Sequence, residues 1–292
     1  MPDQKTEMRH TGPSAHGNAG PSTLAVHEIQ CKSILNRCGI EGIDYALNPY
    51  TGCSHACVYC YARFMARYTK HQMAWGKFVD AKVNGPEVLE KQSSRLSRGL
   101  VSLSTVTDPY QPLEKKYRLT RRSLEILRDR GYPVSILTKS DLVLRDPDIL
   151  KNFPRDALEV GFSIALLDES VRRTFEPGAP DVSRRLAALR VLHDAGIRTW
   201  VFIAPVLPLL TRESLESLLS GLAGAADSLL VDELNIKCGN WQPIEAALMK
   251  ARPEMLARWR EILFQPQRRE EYYASIGHEI DRLRRQYGIQ ER

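Results

Sequence analysis

GCSHACVYCYAR, residues 52–63, sets three thiols at i, i+4 and i+7: Cys53, Cys57 and Cys60. The loop follows a β-rich run, YALNPYT at 45–51, and leads into a helix expected to begin near Tyr61. The three sulfurs therefore sit together at one strand end and can converge on one centre. Structural zinc sites take four protein ligands, often as two close pairs, and only His55 stands nearby as a substitute fourth. A 4Fe-4S cube is ordinarily held by four thiolates. A three-thiolate loop leaves one iron open, and an open iron is a place for chemistry. Ligand count and position favour that cluster over a zinc loop or a set of reduced buried thiols.

Outward from the loop, β-rich runs alternate with amphipathic stretches. The runs after YALNPYT are LVSLSTV (100–106), PVSILT (133–138), LEVGFSI (158–164), RTWVFIAP (198–205) and LLVDELNIK (229–237). Between the second and third, Leu119, Ser123, Ile126 and Leu127 share one helical face and Gly131 supplies the stop. Between the fourth and fifth, Leu186, Leu189 and His193 recur at similar spacing before Gly196, which makes His193 a helix-surface or packing residue. This alternation predicts a parallel sheet, either a partial (β/α) barrel or an open doubly wound sheet, because pattern does not give strand order. Beyond Pro243 the sequence is helical and Arg-rich, punctuated by Pro253 and Pro266. The expected organisation is a disordered tail over 1–23, rich in Gly, Pro, Ser and His, a core over 24–242, and a C-terminal helical extension over 243–292 packed on it.

The 292 residues are 43% hydrophobic and 26% charged, ordinary for a globular protein. No apolar run approaches the roughly 20 residues of a membrane span, and the first residues lack a signal peptide's apolar core; a cytoplasmic protein with no membrane partner is expected. Three of the six cysteines crowd into residues 53–60, which argues for ligation rather than disulfides. The net charge of +6 suits a polyanionic partner, yet acidic residues are interleaved throughout and a solvated surface accounts for it equally.

Cys-x3-Cys-x2-Cys with an aromatic before the last cysteine resembles the radical S-adenosylmethionine (SAM) superfamily. The resemblance implies an α/β fold, a partial (β/α)6 barrel with C-terminal packing helices, and so decides the choice that pattern left open. It also implies a 4Fe-4S cluster whose open iron chelates S-adenosylmethionine, with reductive cleavage to a 5'-deoxyadenosyl radical that takes hydrogen from substrate. Four segments, NPYTGCSHACVYCYAR (48–63), STVTDPYQPLE (104–114), ILTKSDLVLRD (136–146) and SIALLDESVRRTFEPGAP (163–180), are similar to the spore photoproduct lyase-like branch, often labelled DNA repair photolyases. By that similarity Tyr59, Asp108, Lys139 and Ser163 would contact S-adenosylmethionine, and Tyr59 and Tyr61 would flank the cofactor and relay hydrogen. The turn FEPGAP would lie near the active-site mouth, with Glu176 either binding a ligand or capping a helix.

One position departs from the branch. In the lyase a cysteine three residues before the equivalent aspartate returns hydrogen to the repaired thymine, and Thr105 stands there instead. Its hydroxyl bond is too strong to donate readily, so thymine-dimer reversal by that route is not expected. Cys238, after the sixth run, is a candidate substitute donor or ligand pointing into the barrel mouth, or a small buried thiol. Cys31 and Cys38 could join it around a second cluster, but their spacing matches no common ferredoxin or zinc pattern. The expected function is a radical SAM enzyme acting on an unidentified substrate, a nucleic acid base among the candidates, with an electron donor such as a flavodoxin or ferredoxin. The alternatives are a zinc-dependent nucleic-acid-binding module and a non-catalytic iron-sulfur electron carrier.

Overall fold

The computed structural model describes residues 24–71 and 73–292; the expected disordered tail over 1–23 lies outside the described residues. Eleven strands run along the described chain: β1 (Ala25–Ile29), β2 (Leu35–Arg37), β3 (Tyr45–Leu47), β4 (Tyr50–Thr51), β5 (Phe78–Lys82), β6 (Val101–Leu103), β7 (Val134–Thr138), β8 (Leu158–Ser163), β9 (Arg198–Val206), β10 (Ser228–Glu233) and β11 (Gln290–Glu291). The main sheet has the order β11-β10-β9-β8-β7-β6-β3-β2. Its six central strands, β3 and β6 to β10, are the six runs expected from sequence, and each pairs parallel with the next. A doubly wound sheet reverses its strand order at a switch point. These six do not reverse, so the fold is an α/β partial (β/α)6 barrel.

The longer helices are α1 (Gly85–Ser93), α2 (Leu119–Asp129), α3 (Glu169–Phe175), α4 (Val182–Asp194), α5 (Leu215–Leu222), α6 (Trp241–Ala251), α7 (Leu256–Phe264) and α8 (Pro266–Gln286). α2 buries Leu119, Ser123 and Leu127 and ends before Gly131 in the left-handed region, φ +71°. In α4 Leu189 is buried, Leu186 is partly buried, and His193 packs with its Nδ1 3.2 Å from Thr199 Oγ1. Leu47, Leu103, Ile136, Val160, Val201 and Ile203 are fully buried in the sheet, and Leu124, Leu189 and Leu218 in the helices, each contributing about 1.5–3 kcal/mol.

Two expectations are corrected. YALNPYT is two strands: Pro49 has no N–H for a ladder, and Asn48 turns its Oδ1 to the backbone N–H groups of Thr105 and Val106 at 2.9 and 3.0 Å. The chain then leaves the main sheet, and β4 joins a three-stranded sheet of order β1-β5-β4 that the sequence reading missed. The last expected strand stops at Glu233, before a turn in which Lys237 N donates to Asn235 Oδ1 at 2.9 Å. Helix α6 spans residues 242 and 243, and after the C-terminal helices β11 returns as a parallel partner of β10. α8 is fixed against the barrel by Tyr272 and Tyr273, whose hydroxyls bond to Leu209 N at 2.7 Å and to the Val206 carbonyl at 3.2 Å. No described helix is long and apolar enough to cross a membrane.

Candidate active site

The three-cysteine loop leaves β4 at the end of the barrel where the parallel strands finish. It is held from two sides. Gln111, fully buried after β6, accepts from Ser54 N at 3.0 Å, and Thr107 Oγ1 donates to the Gly52 carbonyl at 2.6 Å. From the other side, Gly178 N donates to the His55 carbonyl and Val58 N to the Phe175 carbonyl, both at 2.9 Å. Gly178 lies so close that a Cβ there would stand 2.1 Å from the Ser54 carbonyl oxygen. The FEPGAP turn is thereby part of the loop's seat.

Cys53 and Cys57 are buried and Cys60 is partly buried. Burial raises all three thiol pKa values, Cys57 to about 12. Neighbouring Asp108 and the other two thiols push Cys53 up further. Lys139 pulls Cys57 and Cys60 the other way, joined by Arg185 at the first and Arg63 at the second. Thiolates, not thiols, ligate metal, and three clustered thiols, two of them raised by a neighbouring thiol, are a donor set whose charge bound iron would offset. The residues present therefore fit a cluster carried on three protein thiolates.

Asp108, Lys139 and Ser163 follow or end β6, β7 and β8, and the structure brings them together. Lys139 Nζ donates to Ser163 Oγ at 2.8 Å, stands 4.0 Å from Glu176 Oε1, and lies 5.7 Å over the Tyr59 ring. Asp108 is buried and committed: Oδ1 accepts from Thr138 Oγ1 at 2.7 Å and Tyr110 N at 2.9 Å, and Oδ2 from Lys139 N at 2.8 Å. His55 Nδ1 stands 3.3 Å from the same Oδ2. Burial alone would raise the Asp108 pKa, but His55 and the hydrogen bonds outweigh it and hold the carboxyl at about 2. His55, the sequence's substitute fourth ligand, is thus turned towards Asp108 through Nδ1, and its buried Nε2 has no hydrogen-bond partner.

The tyrosines on either side of Cys60 diverge. Tyr59 is buried and donates its hydroxyl to Glu176, whose other oxygen receives Arg185 Nη2 at 2.5 Å. Burial works against ionised Glu176, yet Arg185, Lys139 and the Tyr59 hydroxyl keep its pKa below the ordinary glutamate value. Glu176 is the C-cap residue of α3, its N–H on the Arg172 carbonyl, and its side chain joins Tyr59 to two cations. Tyr61 is exposed at 45% and donates to the Thr105 carbonyl, bringing it to the position of the missing cysteine. Burial of its hydroxyl, then Cys60, Cys38 and Asp232, push its pKa up to about 12.

Cys238 is exposed with φ +67° on the turn after β10. Two residues on, Asn240 donates to the Tyr59 carbonyl at 2.9 Å, so this turn covers the cysteine loop. Cys31 lies elsewhere, bound through its backbone to the Asn84 side chain, and Cys38 follows β2 with its N–H on the Asp44 carbonyl. Sequence reasoning missed Arg185, Gln111 and Asn240. Gln111 stood inside a quoted motif, but nothing in the sequence marked the other two.

A partial barrel with a three-thiol loop at its strand ends, facing a lysine, a serine and a buried carboxylate, defines a class of enzyme built to present a metal cluster to a bound cofactor. A family model described as the radical SAM superfamily matches residues 47–220. The chain belongs to that superfamily and is an enzyme of the radical SAM type, a family that uses S-adenosylmethionine and an iron-sulfur cluster. An uncharacterised protein of Methanocaldococcus jannaschii is 38% identical over 187 residues, 64% of this chain and 70% of its own. Another, of Mycobacterium tuberculosis, is 36% identical over 250 residues, 82% of this chain and 74% of its own. A radical SAM Nalpha-GlyT isomerase of Pseudomonas phage M6 is 23% identical over 198 residues, 67% of this chain and 40% of its own. Among solved structures, spore photoproduct lyase complexed with dinucleoside spore photoproduct superposes with a TM-score of 0.62 at 16% identity, covering 86% of each chain. A mutant of that lyase with bound AdoMet and dinucleoside spore photoproduct gives 0.59 at 18%, covering 84% of this chain and 80% of that one. At those identities the likeness is one of fold.

Proposed function

We propose that the protein holds a 4Fe-4S cluster on Cys53, Cys57 and Cys60, binds S-adenosylmethionine against Lys139 and Ser163, and acts on a nucleic acid base. The observation that carries this is the meeting of Lys139, Ser163, Tyr59 and Glu176 beside the three thiols. When bound, the cluster and cofactor supply the electron and the 5'-deoxyadenosyl radical that side chains cannot.

The chain's own residues position and shield. Lys139 offers an ammonium to the methionyl carboxylate, a charge-assisted bond, while Glu176 and Ser163 fix its direction. Asp108 has no free face for the cofactor in this arrangement. It acts as a positioning residue that clamps the cysteine loop, through His55, to the end of β7. Tyr59 closes the floor between Lys139 and the Cys57 side. Tyr61, at Thr105, takes the place of the lyase cysteine as hydrogen donor, with Cys238 as the second candidate.

The substrate class rests on the Tyr61–Tyr68 segment, a 3-10 helix beside the mouth. Tyr61 stacks on Phe64 at 6.5 Å and Phe64 meets Tyr68 edge-on at 6.4 Å. Tyr68 is 77% exposed, and Arg67 and Lys70 are exposed beside it. Aromatic faces interleaved with cations bind unstacked bases, each stack contributing about 1–3 kcal/mol. That a lyase alike in fold is complexed with a dinucleoside spore photoproduct supports the same class, and an electron donor such as a flavodoxin or ferredoxin would serve as reductant.

The test is anaerobic reconstitution with iron and sulfide, reduction, and assay for 5'-deoxyadenosine and methionine. A fully loaded cluster that cleaves no S-adenosylmethionine overturns the reading. Deuterium transfer into 5'-deoxyadenosine from labelled DNA or RNA, and none from labelled metabolites, identifies the substrate class.

A further inference from the structure

Away from the barrel mouth, three side chains from three segments converge. His27 on β1 and Asp80 on β5 are direct register partners in the parallel pair β1/β5. His71 comes from the connection between the Tyr61–Tyr68 segment and β5. His27 Nδ1 lies 3.0 Å and His71 Nε2 2.9 Å from the same oxygen, Asp80 Oδ1. The three donor atoms all lie within 4.8 Å of one another.

We infer that His27, His71 and Asp80 form a binding site for a divalent transition cation of the zinc type. The donor set is two imidazoles and a carboxylate, the set of three-ligand zinc sites that keep a fourth position for water, and its nitrogen content disfavours magnesium or calcium. Ligand atoms about 2.0–2.1 Å from a tetrahedral ion stand a little over 3 Å apart, so the observed 2.9 and 3.0 Å contacts need to open by only a few tenths of an ångström. The rings are already set: His27 and His71 stack at 4.6 Å, and Phe78 meets His71 edge-on, also at 4.6 Å. Asp80 is buried, whereas the His27 side chain is 41% exposed, leaving the water position on the solvent side.

A bare hydrogen-bonded triad is the competing account. Partly exposed contacts of that kind contribute about 0–1 kcal/mol each, little return for aiming two histidines at one oxygen. A metal would do more, because Asp80 also pairs in register with Thr51, two residues before Cys53. The ion would brace β1 and the His71 connection against β5, the strand paired with β4, from which the cysteine loop leaves. It would sit outside the reacting centre, and this inference does not depend on the proposed chemistry there.

The test uses the full chain loaded with iron and sulfide, so that cluster thiols are occupied. Zinc chloride is added, excess is removed, and zinc and iron are counted per chain alongside zinc-edge X-ray absorption. The expected result is about one zinc per chain with nitrogen and oxygen ligands near 2.0–2.1 Å and no sulfur near 2.3 Å. His71→Ala and the more exposed His27→Ala should each lower zinc affinity by more than about a hundredfold with iron content unchanged. Asp80→Asn keeps an acceptor for both rings, so a merely hydrogen-bonded triad tolerates it, but it too should lose zinc. Wild-type protein that retains no zinc, sulfur scattering around the bound zinc, or equal retention by the variants overturns the site.

Discussion

Glu176 accepts from a phenol and faces two cations in a fully buried setting, so its removal strands charge. Glu176→Ala leaves Arg185 buried without its counter-ion, and a loss of about 3–5 kcal/mol is expected in urea unfolding. Asp108 predicts an acid limb. Its native carboxyl binds fewer protons than the unfolded one, so its contribution is complete above the ordinary aspartate value near 4. It is then lost as pH falls through about 2. Cluster-free wild-type protein should lose about 2 kcal/mol across that window, and unfolding titrations of Asp108→Asn should lack the step. At the metal itself, Cys57→Ala should lose both the brown absorbance and cleavage of S-adenosylmethionine, while Cys238→Ala, on the exposed turn, keeps its iron. Iron reduced by about one cluster's worth in Cys238→Ala would reassign that residue as a ligand. The three thiols stood out as a short spaced run, whereas Lys139 and Ser163 were picked out through the family resemblance and lie together after β7 and at the end of β8. Arg185 was not, since its partner Glu176 belongs to the preceding turn and nothing in helical periodicity marks a buried arginine.

Glycines set the fit between elements. Gly178 brings the turn between α3 and α4 against the cysteine loop, and Gly178→Ala would drive a Cβ into the Ser54 carbonyl, which as backbone cannot rotate away. The expected outcome is a loss of about 1–3 kcal/mol and lower iron retention after gel filtration, with secondary structure by circular dichroism intact. The six central strands were legible because each is a compact β-branched or apolar run bounded by turn residues. The small sheet was not: AVHEI and FVDAK carry charged residues within five positions, and β4 is two residues long. The division at Asn48–Pro49 was hidden because both halves have strand-like composition, and only the side-chain bonds from Asn48 show where the ladder ends.

Across the whole molecule, the barrel interior runs from Ser163 at the thiol end to Arg292 at the other. Ser163, Gly161 and Glu159 alternate along one face of β8. Trp200 fills the space over Gly161, where a Cβ would meet its ring at 2.2 Å. The Arg292 guanidinium stacks 3.8 Å from the Trp200 ring, pairs with Glu159 and reaches Ser135 Oγ at 3.1 Å, so one residue joins β7, β8 and β9. Arg292→Ala should cost about 1–2 kcal/mol by loss of the cation–π and ionic contacts, measured by thermal unfolding, without changing iron content. No sequence pattern announced this, because the contact spans 157 residues between Ser135 and Arg292. Among the described residues Trp200 and Arg292 fill the end of the sheet away from the thiols, so the approach to Cys53, Cys57 and Cys60 is expected from the strand-end side. Whatever seats deepest must arrive first and depart last, so turnover should follow an ordered sequence of arrivals, and an excess of the outer ligand should slow release of the spent inner one.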